Sequence, residues 1–445
     1  MKAKTLLLFV SFVCVPAFYA QGQLTCLSGD KDSNKLVCEL PTTSNTVAAA
    51  AIGVQGAQNN TTIKNLSGSI NSSIGTQLTQ LPIPSASVGT VSLQQAGNPF
   101  GVPFDNLGPV LTDRPDTVGK RRIFVGFNYQ RFNFNALDGI DLGKFPVGYV
   151  LNPPTAPGDT QTLYGSESAN INFHLDQYVG ILTYGLTRTT DVSVVVPFSN
   201  VSLAVTTSNF QTYVYDSSAN QYSNESPTGN AAKPITTTGS ASGFGDVIVT
   251  VKQLLLGQEG RPPAIAVGAD VRFPTGDALN YLGSGAYGFN LHGLFEYRWK
   301  LSPHLKLGYQ WNTNSQLVDI FKAPNTPLPG GLQYDAGADY RVVRQLTVAA
   351  DILGSQFVNT SSVSPIMQKL APAPSTTIGT TTGQVPTQLP SIAIAPTTYA
   401  TANFSVGLKW HPVKHWIFYG NVLVPINNVG LRSDPVPLAG VSFTK

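Results

Sequence analysis

From Arg122 onward, apolar and polar residues alternate. Ile123, Val125, Phe127 and Tyr129 share one parity, with Gly126, Asn128 and Gln130 on the other. A repeat of two residues marks a strand with one apolar face. The texture returns at Ile171, Phe173, Leu175, Val179 and Ile181 against Asn170, Asn172, His174 and Asp176. Val247, Val249 and Val251 oppose Asp246, Thr250 and Lys252, and Ile265, Val267, Ala269, Val271 and Phe273 oppose Asp270 and Arg272. Tyr287, Phe289, Leu291, Phe295, Tyr297 and Trp299 alternate with Asn290, His292, Glu296 and Arg298. Leu305, Leu307, Tyr309 and Trp311 then oppose Lys306, Gln310 and Asn312, and Leu332, Tyr334 and Tyr340 oppose Asp335, Asp339 and Arg341. Leu346–Ile352, Ala402–Trp410, Trp416–Val424 and a short last segment near Pro437–Thr444 complete a set of about twelve strands, the scale of a small membrane barrel. One run changes phase: Val192, Val194, Val196 and Phe198 lie on one parity, Val201, Leu203 and Val205 on the other, which predicts a bulge near Pro197.

Connections decide the architecture. Short ones at Gly185–Asp191, Gly257–Pro262, Lys300–His304, Val343–Gln345 and His411–His415 alternate with long ones, among them a Pro/Thr/Ser-rich stretch at 358–397. A water-soluble sandwich has no reason to keep every second turn minimal, whereas outer-membrane barrels have short periplasmic turns and longer outside loops. Segments of about 9–13 residues are long enough for a tilted crossing. The expected fold is all-β: a transmembrane antiparallel up-and-down barrel over residues 122–445. Three tryptophans, Trp299, Trp410 and Trp416, flank short turns, while Trp311 with Tyr309 marks the opposite rim, as two interfacial aromatic girdles require.

The N-terminal part reads differently. Lys2 and Lys4 precede the apolar run Leu6–Val13, and small residues Ala17, Ala20 and Gly22 follow, the layout of a secretory signal over residues 1–21. Residues 22–121 are a low-complexity segment rich in Ser, Thr, Asn, Gln, Gly and Ala, either a lumen plug or a periplasmic tail. Within it Leu66, Ile70, Ile74, Leu78 and Leu81 fit one short amphipathic helix ended by Pro82. After signal removal two cysteines remain, Cys26 and Cys38, and an even pair in an oxidising compartment reads as a local disulfide. Two thiols with no histidine nearby do not suggest a metal site.

Composition agrees with a barrel. Charged residues make up 11% of the 445, against roughly 25% in an ordinary soluble domain. Past the leader no apolar run approaches the roughly 18 residues of a spanning helix. A net charge of +3 without a dense basic cluster argues against nucleic acid as a partner. The charges that do occur collect on the parity opposite the apolar one. His174, Asp176, Asp246, Lys252, Asp270, Arg272, His292, Glu296, Arg298, Asp335, Asp339 and Arg341 are the candidate lumen-lining residues. A lipid-facing Arg or Lys would cost roughly 2–4 kcal/mol near the midplane, so any barrel must sort its charges this way. A structural ion-pair network and a selectivity-tuning pore lining are both compatible with the list.

The strand and turn motifs resemble a known family. Tyr184-Gly185-Leu186-Thr187, Val196-Pro197-Phe198, Gly243-Phe244-Gly245-Asp246, Pro263-Ala264-Ile265-Ala266 and Arg272-Phe273-Pro274-Thr275-Gly276-Asp277 are similar to the outer-membrane proteins of the MetA-pathway of phenol degradation. The resemblance implies a channel for passive uptake of small, aromatic or hydrophobic compounds, with no catalytic residues and no cofactor to carry over. The chain departs from outer-membrane habit in its long segment before residue 122 and in ending Phe443-Thr444-Lys445.

Other classes fit the residues less well. A phospholipase-like barrel needs a nucleophile beside a base, yet none of His174, His292, His304, His411 and His415 has a serine two residues on. His304, His411 and His415 read as interfacial turn residues. Gly283-Ser284-Gly285-Ala286-Tyr287-Gly288 fits a dinucleotide fingerprint but precedes a strand where that motif needs a helix, and reads as a flexible outside loop. Asp138-Gly139-Ile140-Asp141 reads as solvated loop before cation site. A structural or adhesive barrel using the Pro-rich loop is the third class. The expected location is the bacterial outer membrane, with bilayer, lipopolysaccharide and a small solute as partners. Nothing in the sequence fixes an oligomeric state.

Overall fold

The computed structural model describes residues 26, 34–43, 46, 61–79, 107–151, 161–226, 232–257, 262–318, 326–374, 379–380, 385–413 and 415–445; the expected signal segment lies outside them. One closed antiparallel barrel of twelve wall strands accounts for most of the chain. They are β1 Ile123–Leu137, β2 Gln161–Gly185, β3 Thr190–Asp216, β4 in two collinear pieces Ile235–Phe244 and Val247–Leu256, β5 Ala264–Phe273 and β6 Gly288–Glu296. The second half comprises β7 Leu301–Asn312, β8 Gly330–Val343, β9 Leu346–Lys369, β10 Gln388–Val413, β11 Trp416–Pro425 and β12 Val436–Thr444. Each strand pairs with the next, and β12 closes on β1 from Phe124↔Thr444 to Gln130↔Leu438. Closure pairs the edges that an open sheet would expose. Lys445 exchanges backbone bonds with Ile123, so the final segment is the closing strand despite its non-aromatic end.

Short and long connections alternate. Among the described residues, 186–189, 257, 262–263, 297–300, 344–345 and 415 lie at one rim, and 138–151, 217–226, 232–234, 274–287, 313–318, 326–329, 370–374, 379–380, 385–387 and 426–435 at the other. Four strands are at least twice as long as a crossing needs: β2 has 25 residues, β3 27, β9 24 and β10 26, where roughly 9–11 span the bilayer. The surplus lies at the long-loop rim. Nearer the short-turn rim the outward side chains are apolar and exposed, including Val125, Phe127, Phe289, Leu291, Leu307, Phe404 and Leu408. Trp299, Trp311, Trp410 and Trp416 all point outward in this band and are exposed.

In the surplus the faces invert. On β2, Ile171, Phe173 and Leu175 are buried on the inner side, while Asn170 and Asn172 are exposed. The expected inward placement of His174 and Asp176 is therefore wrong. Both lie on the outer side, His174 against Asn133 at 2.9 Å and Asp176 against the Tyr129 hydroxyl at 2.6 Å. Beyond the hydrocarbon the outer face meets water, so polarity no longer marks the lumen. The same inversion explains the phase change on β3: Val192, Val194, Val196 and Phe198 face lipid and Val201, Leu203 and Val205 face inward without any slip in the pairing of β3 with β2 there. A bulge does occur, but on the neighbouring strand. Val195 pairs Ile248 and Phe198 pairs Phe244, so Gly245, Asp246 and Val247 stand opposite Val196 and Pro197. Pro197, which has no N–H to give, accepts a bond from Gly245 N at 2.8 Å at this point.

Part of the N-terminal segment lies inside. Helix α1, Thr61–Leu78, buries Ile70 and Ile74 among Phe134, Phe173, Tyr281 and Leu317. Gly75 permits the approach: an added Cβ would stand 2.7 Å from Leu317 Cδ1. Cys26 and Cys38 are bonded, and the adjoining turn Leu36–Cys38 is buried in the same apolar cluster. Lys35 pairs with Asp277 at 2.7 Å, and Thr43 bonds Thr237 of β4 at 2.6 Å. Residues 107–118 form a second inner piece near the short-turn rim, with Leu107, Val110, Leu111, Arg114 and Val118 buried.

Candidate functional site

The inner face of the membrane-embedded half is ionic, and residues 107–118 are strapped across it. The Leu107 N–H donates to Thr347 Oγ1 at 3.1 Å, and Lys409 Nζ donates to the Leu107 carbonyl at 2.9 Å. Lys252 reaches Asp113 at 3.2 Å and the Arg114 carbonyl at 2.9 Å. Arg114 pairs with Glu296 at 3.0 Å and Asp116 at 2.9 Å, Asp116 also bonds Arg298, and the Val118 N–H donates to Asp191 at 2.7 Å. The strap thus ties to β3, β4, β6, β9 and β10. Burial works against the charge of Arg114, but Glu296, then Asp116 and Asp339, outweigh it and raise its pKa. Burial also opposes ionisation of Asp116, yet Arg114, Arg298 and Lys252 prevail and hold its carboxyl below the ordinary range. Buried charges persist only when paired in this way.

Beside the strap, His304 is buried between Asp351 at 2.6 Å and Asp339 at 3.3 Å. It is not the interfacial turn residue expected, because β7 begins at Leu301 and turns its second and fourth side chains inward. Asp351 and Lys409, both buried and inward, were missed although strand alternation on β9 and β10 marks them. Asp113, Arg114 and Asp116 carried no such signal, since residues 22–121 lack periodicity.

Further along the axis lies a chamber of about 230 Å3. Gln77 and Thr79, at the end of α1, line it from the long-loop side, and Leu111 and Asp113 from the strap. The wall contributes Asp270, Arg272, His292 and Asp335, all expected lumen residues, with Lys306, Asn290, Gln310 and Gln333. Amides form a ladder: Asn290 donates to Gln333 at 2.9 Å, Gln333 to Gln310 at 2.6 Å, Gln310 to Asn312 at 3.0 Å, and Arg272 to Asn312 at 2.7 Å. Arg272 also lies 3.6 Å from Asp246, which accepts from Ser284 N at 2.8 Å and Ser284 Oγ at 2.5 Å and from Gly276 N at 3.1 Å. The glycine-rich run expected as a flexible outside loop is thereby pinned, with Ser284 and Ala286 buried. Arg341 stands half-buried near the short-turn rim, its N–H donating to the Lys300 carbonyl at 3.1 Å. Asp138 binds backbone, accepting from Gly430 N at 2.7 Å and Val363 N at 2.8 Å.

Residues 154–360 match the family model described as "Putative MetA-pathway of phenol degradation". This stretch is the greater part of the barrel and a little under half of the chain. No curated protein matches the chain. Among solved structures, an outer membrane channel from Pseudomonas putida F1 is similar at 13% identity and a TM-score of 0.42, covering 76% of this chain and 100% of that one. The Pseudomonas putida toluene transporter TodX is similar at 10% identity and a TM-score of 0.26, covering 75% and 92% respectively. Neither likeness bears on what this barrel carries.

Proposed function

We propose that the protein is an outer-membrane channel for passive uptake of small solutes, aromatic or hydrophobic compounds among those expected from its family, with its own N-terminal segment as a plug. The observation that carries this reading is the polar chamber on the axis, bounded by two pieces of one N-terminal segment. A purely structural barrel of this width has no need of a cavity lined by charged and amide groups. Residues 1–21 act as the export signal, the outward aromatic and aliphatic band meets lipid and lipopolysaccharide, and Trp299, Trp311, Trp410 and Trp416 sit at its two interfaces. The lipase-like alternative needs a histidine beside a nucleophile, whereas His174, His292, His304 and His415 direct ring nitrogens at Asn133, at Asp270, at Asp339 and Asp351, and at the Thr444 carbonyl. Liposome swelling with phenolic and aliphatic solutes tests the channel. Permeation that increases when residues 22–118 are removed supports it; no permeation by any solute, with or without that segment, overturns it.

A further inference from the structure

The two ends of the wall differ in charge. At the long-loop end exposed residues of both signs occur, Arg131, Lys144 and Lys369 beside Asp141, Glu225 and Asp434. At the short-turn rim the exposed charges are Lys120, Arg121, Arg188, Lys300, Arg344 and Lys445, all basic. The acids of that end are buried: Asp116, Glu296 and Asp339 face Arg114, Arg298 and His304 in the lumen, and Asp191 accepts from the Val118 N–H. Among the described residues no aspartate or glutamate is exposed at this rim. Backbone bonds join one turn to the next. The Arg341 N–H donates to the Lys300 carbonyl at 3.1 Å, His411 to Gln345 at 2.8 Å, Thr444 to His415 at 3.0 Å and Arg121 to Gly185 at 2.7 Å. The six cations are thereby held along one continuous arc.

The arc coincides with the aromatic girdle. Trp299, Trp410, Trp416, Tyr184 and Tyr340 are exposed on the wall at this end, and the Lys300 ammonium lies 5.1 Å from the centroid of the Tyr340 ring. That attraction draws the charge back along the wall, to the depth where aromatic side chains meet headgroups. Val342 and Val343 precede Arg344, and Leu186 lies two residues before Arg188, all three exposed. A contact for an acyl chain and a cation for its phosphate stand together at both places. We propose that this rim is a docking surface for anionic phospholipids of the leaflet it faces, the periplasmic one where turns are short. A zwitterionic headgroup brings its own ammonium to its phosphate. A phosphodiester headgroup without a cation does not, and an arc of cations with no exposed acid beside it fits the second kind. Basic residues within a Debye length of an anionic surface are attracted to it. Docking depends on the outer-membrane placement alone, so permeation has no bearing on it.

The rim tryptophans report the lipid directly. Trp311→Phe removes the one tryptophan of the opposite rim and leaves Trp299, Trp410 and Trp416. The full chain with that change is reconstituted in phosphatidylcholine bilayers holding increasing fractions of dibrominated phosphatidylglycerol or dibrominated phosphatidylcholine, and fluorescence quenching is measured. Phosphatidylglycerol is expected to occupy the rim about fivefold more strongly than phosphatidylcholine, and about 1 M salt to remove most of that preference. Lys300→Gln with Arg344→Gln should lower the preference about twofold or more. Arg131→Gln with Lys144→Gln, the same loss of charge at the other end, should leave it unchanged. Heat-modifiable migration on a gel confirms that each variant is folded, and Lys120→Gln with Arg121→Gln replaces the first pair if that one is not. Equal quenching by the two lipids, a preference that both pairs lower alike, or one that neither pair lowers overturns the proposal. Sedimentation with peptidoglycan sacculi covers the other anionic neighbour. Cosedimentation that is lost in the Lys300→Gln, Arg344→Gln variant, without any lipid preference, gives the arc to the cell wall and likewise overturns it.

Discussion

The two halves of this barrel solve opposite problems with the same strands. In the membrane-embedded half the outside is apolar and the inside ionic: Leu291 is 59% exposed while Glu296, Asp339 and Lys409 are fully buried. In the long-loop half the outside carries Asn170, Asn172, His174, Asp176 and Arg131, and the inside is Phe132, Phe134, Ile171, Phe173 and α1. The solvent outside the wall dictates which parity is apolar, and the filling of the lumen follows. Where lipid covers the wall, hydrophobic residues are used up outside and the interior is held by ion pairs. Where water covers it, the interior can have an ordinary apolar core, and the N-terminal helix supplies the other side of that core.

The largest test of this contrast is removal of residues 22–118. The membrane half keeps its hydrogen-bonded wall, so the variant should still insert and show heat-modifiable migration. The long-loop half loses the partner of its apolar interior and should become sensitive to added protease, while single-channel conductance in planar bilayers rises several-fold. Loss of the barrel itself on deletion would show that the two halves are not separable.

Next come two Arg–carboxylate contacts at different depths. Arg298→Ala leaves Asp116 and Glu296 short of a partner in a buried network, and should cost about 3–5 kcal/mol in denaturant unfolding. Arg131→Ala breaks a 3.9 Å contact with Asp176 on the exposed outer skin, where about 0–1 kcal/mol is expected. A third comparison stays on the outward face and changes only height. Leu291→Arg places a cation in hydrocarbon and should destabilise insertion by roughly 2–4 kcal/mol, the midplane range. Asn172→Arg meets water and should fall within about 0.5 kcal/mol of the parent. Similar costs at both sites would mean that β2 does not leave the bilayer where its pattern inverts.

The sequence makes this wall legible because alternation is enforced on every strand. Twelve strands, their order and the closing segment at 436–444 follow from parity and from the rhythm of short and long connections. Parity alone does not say which face is inside. On β6 the polar parity, Asn290 to Arg298, is inward, and on the distal part of β2 the polar parity, Asn170 to Asp176, is outward. Strand length is the signal that separates them, since the alternation on β2 and β3 runs well past a bilayer's thickness. The strap was illegible for another reason. Asp113, Arg114 and Asp116 sit in a stretch with no period, and only their partners Lys252 on β4 and Glu296 and Arg298 at the end of β6 give them a place.

The smallest expected effect concerns that strap and pH. Asp116 belongs to residues 107–118, and its carboxyl is held below the ordinary carboxylate range because Arg114, Arg298 and Lys252 outweigh its burial. A group whose folded pKa is depressed contributes stability that is present above its unfolded value and lost as pH falls through the folded one. Arg114, whose pKa is raised, stays charged throughout. Acidification below the usual carboxylate range should therefore loosen the ion pairs that hold the strap at Asp116. Trypsin cleavage after Arg114, measured in liposomes after brief acid exposure and return to neutrality, should increase only transiently, and conductance recorded in acid should rise. Asp116→Asn removes the titrating group and should flatten that rise while leaving the neutral strap weaker. A strap released by alkali in place of acid would show that the ion pairs of Asp116 do not hold it.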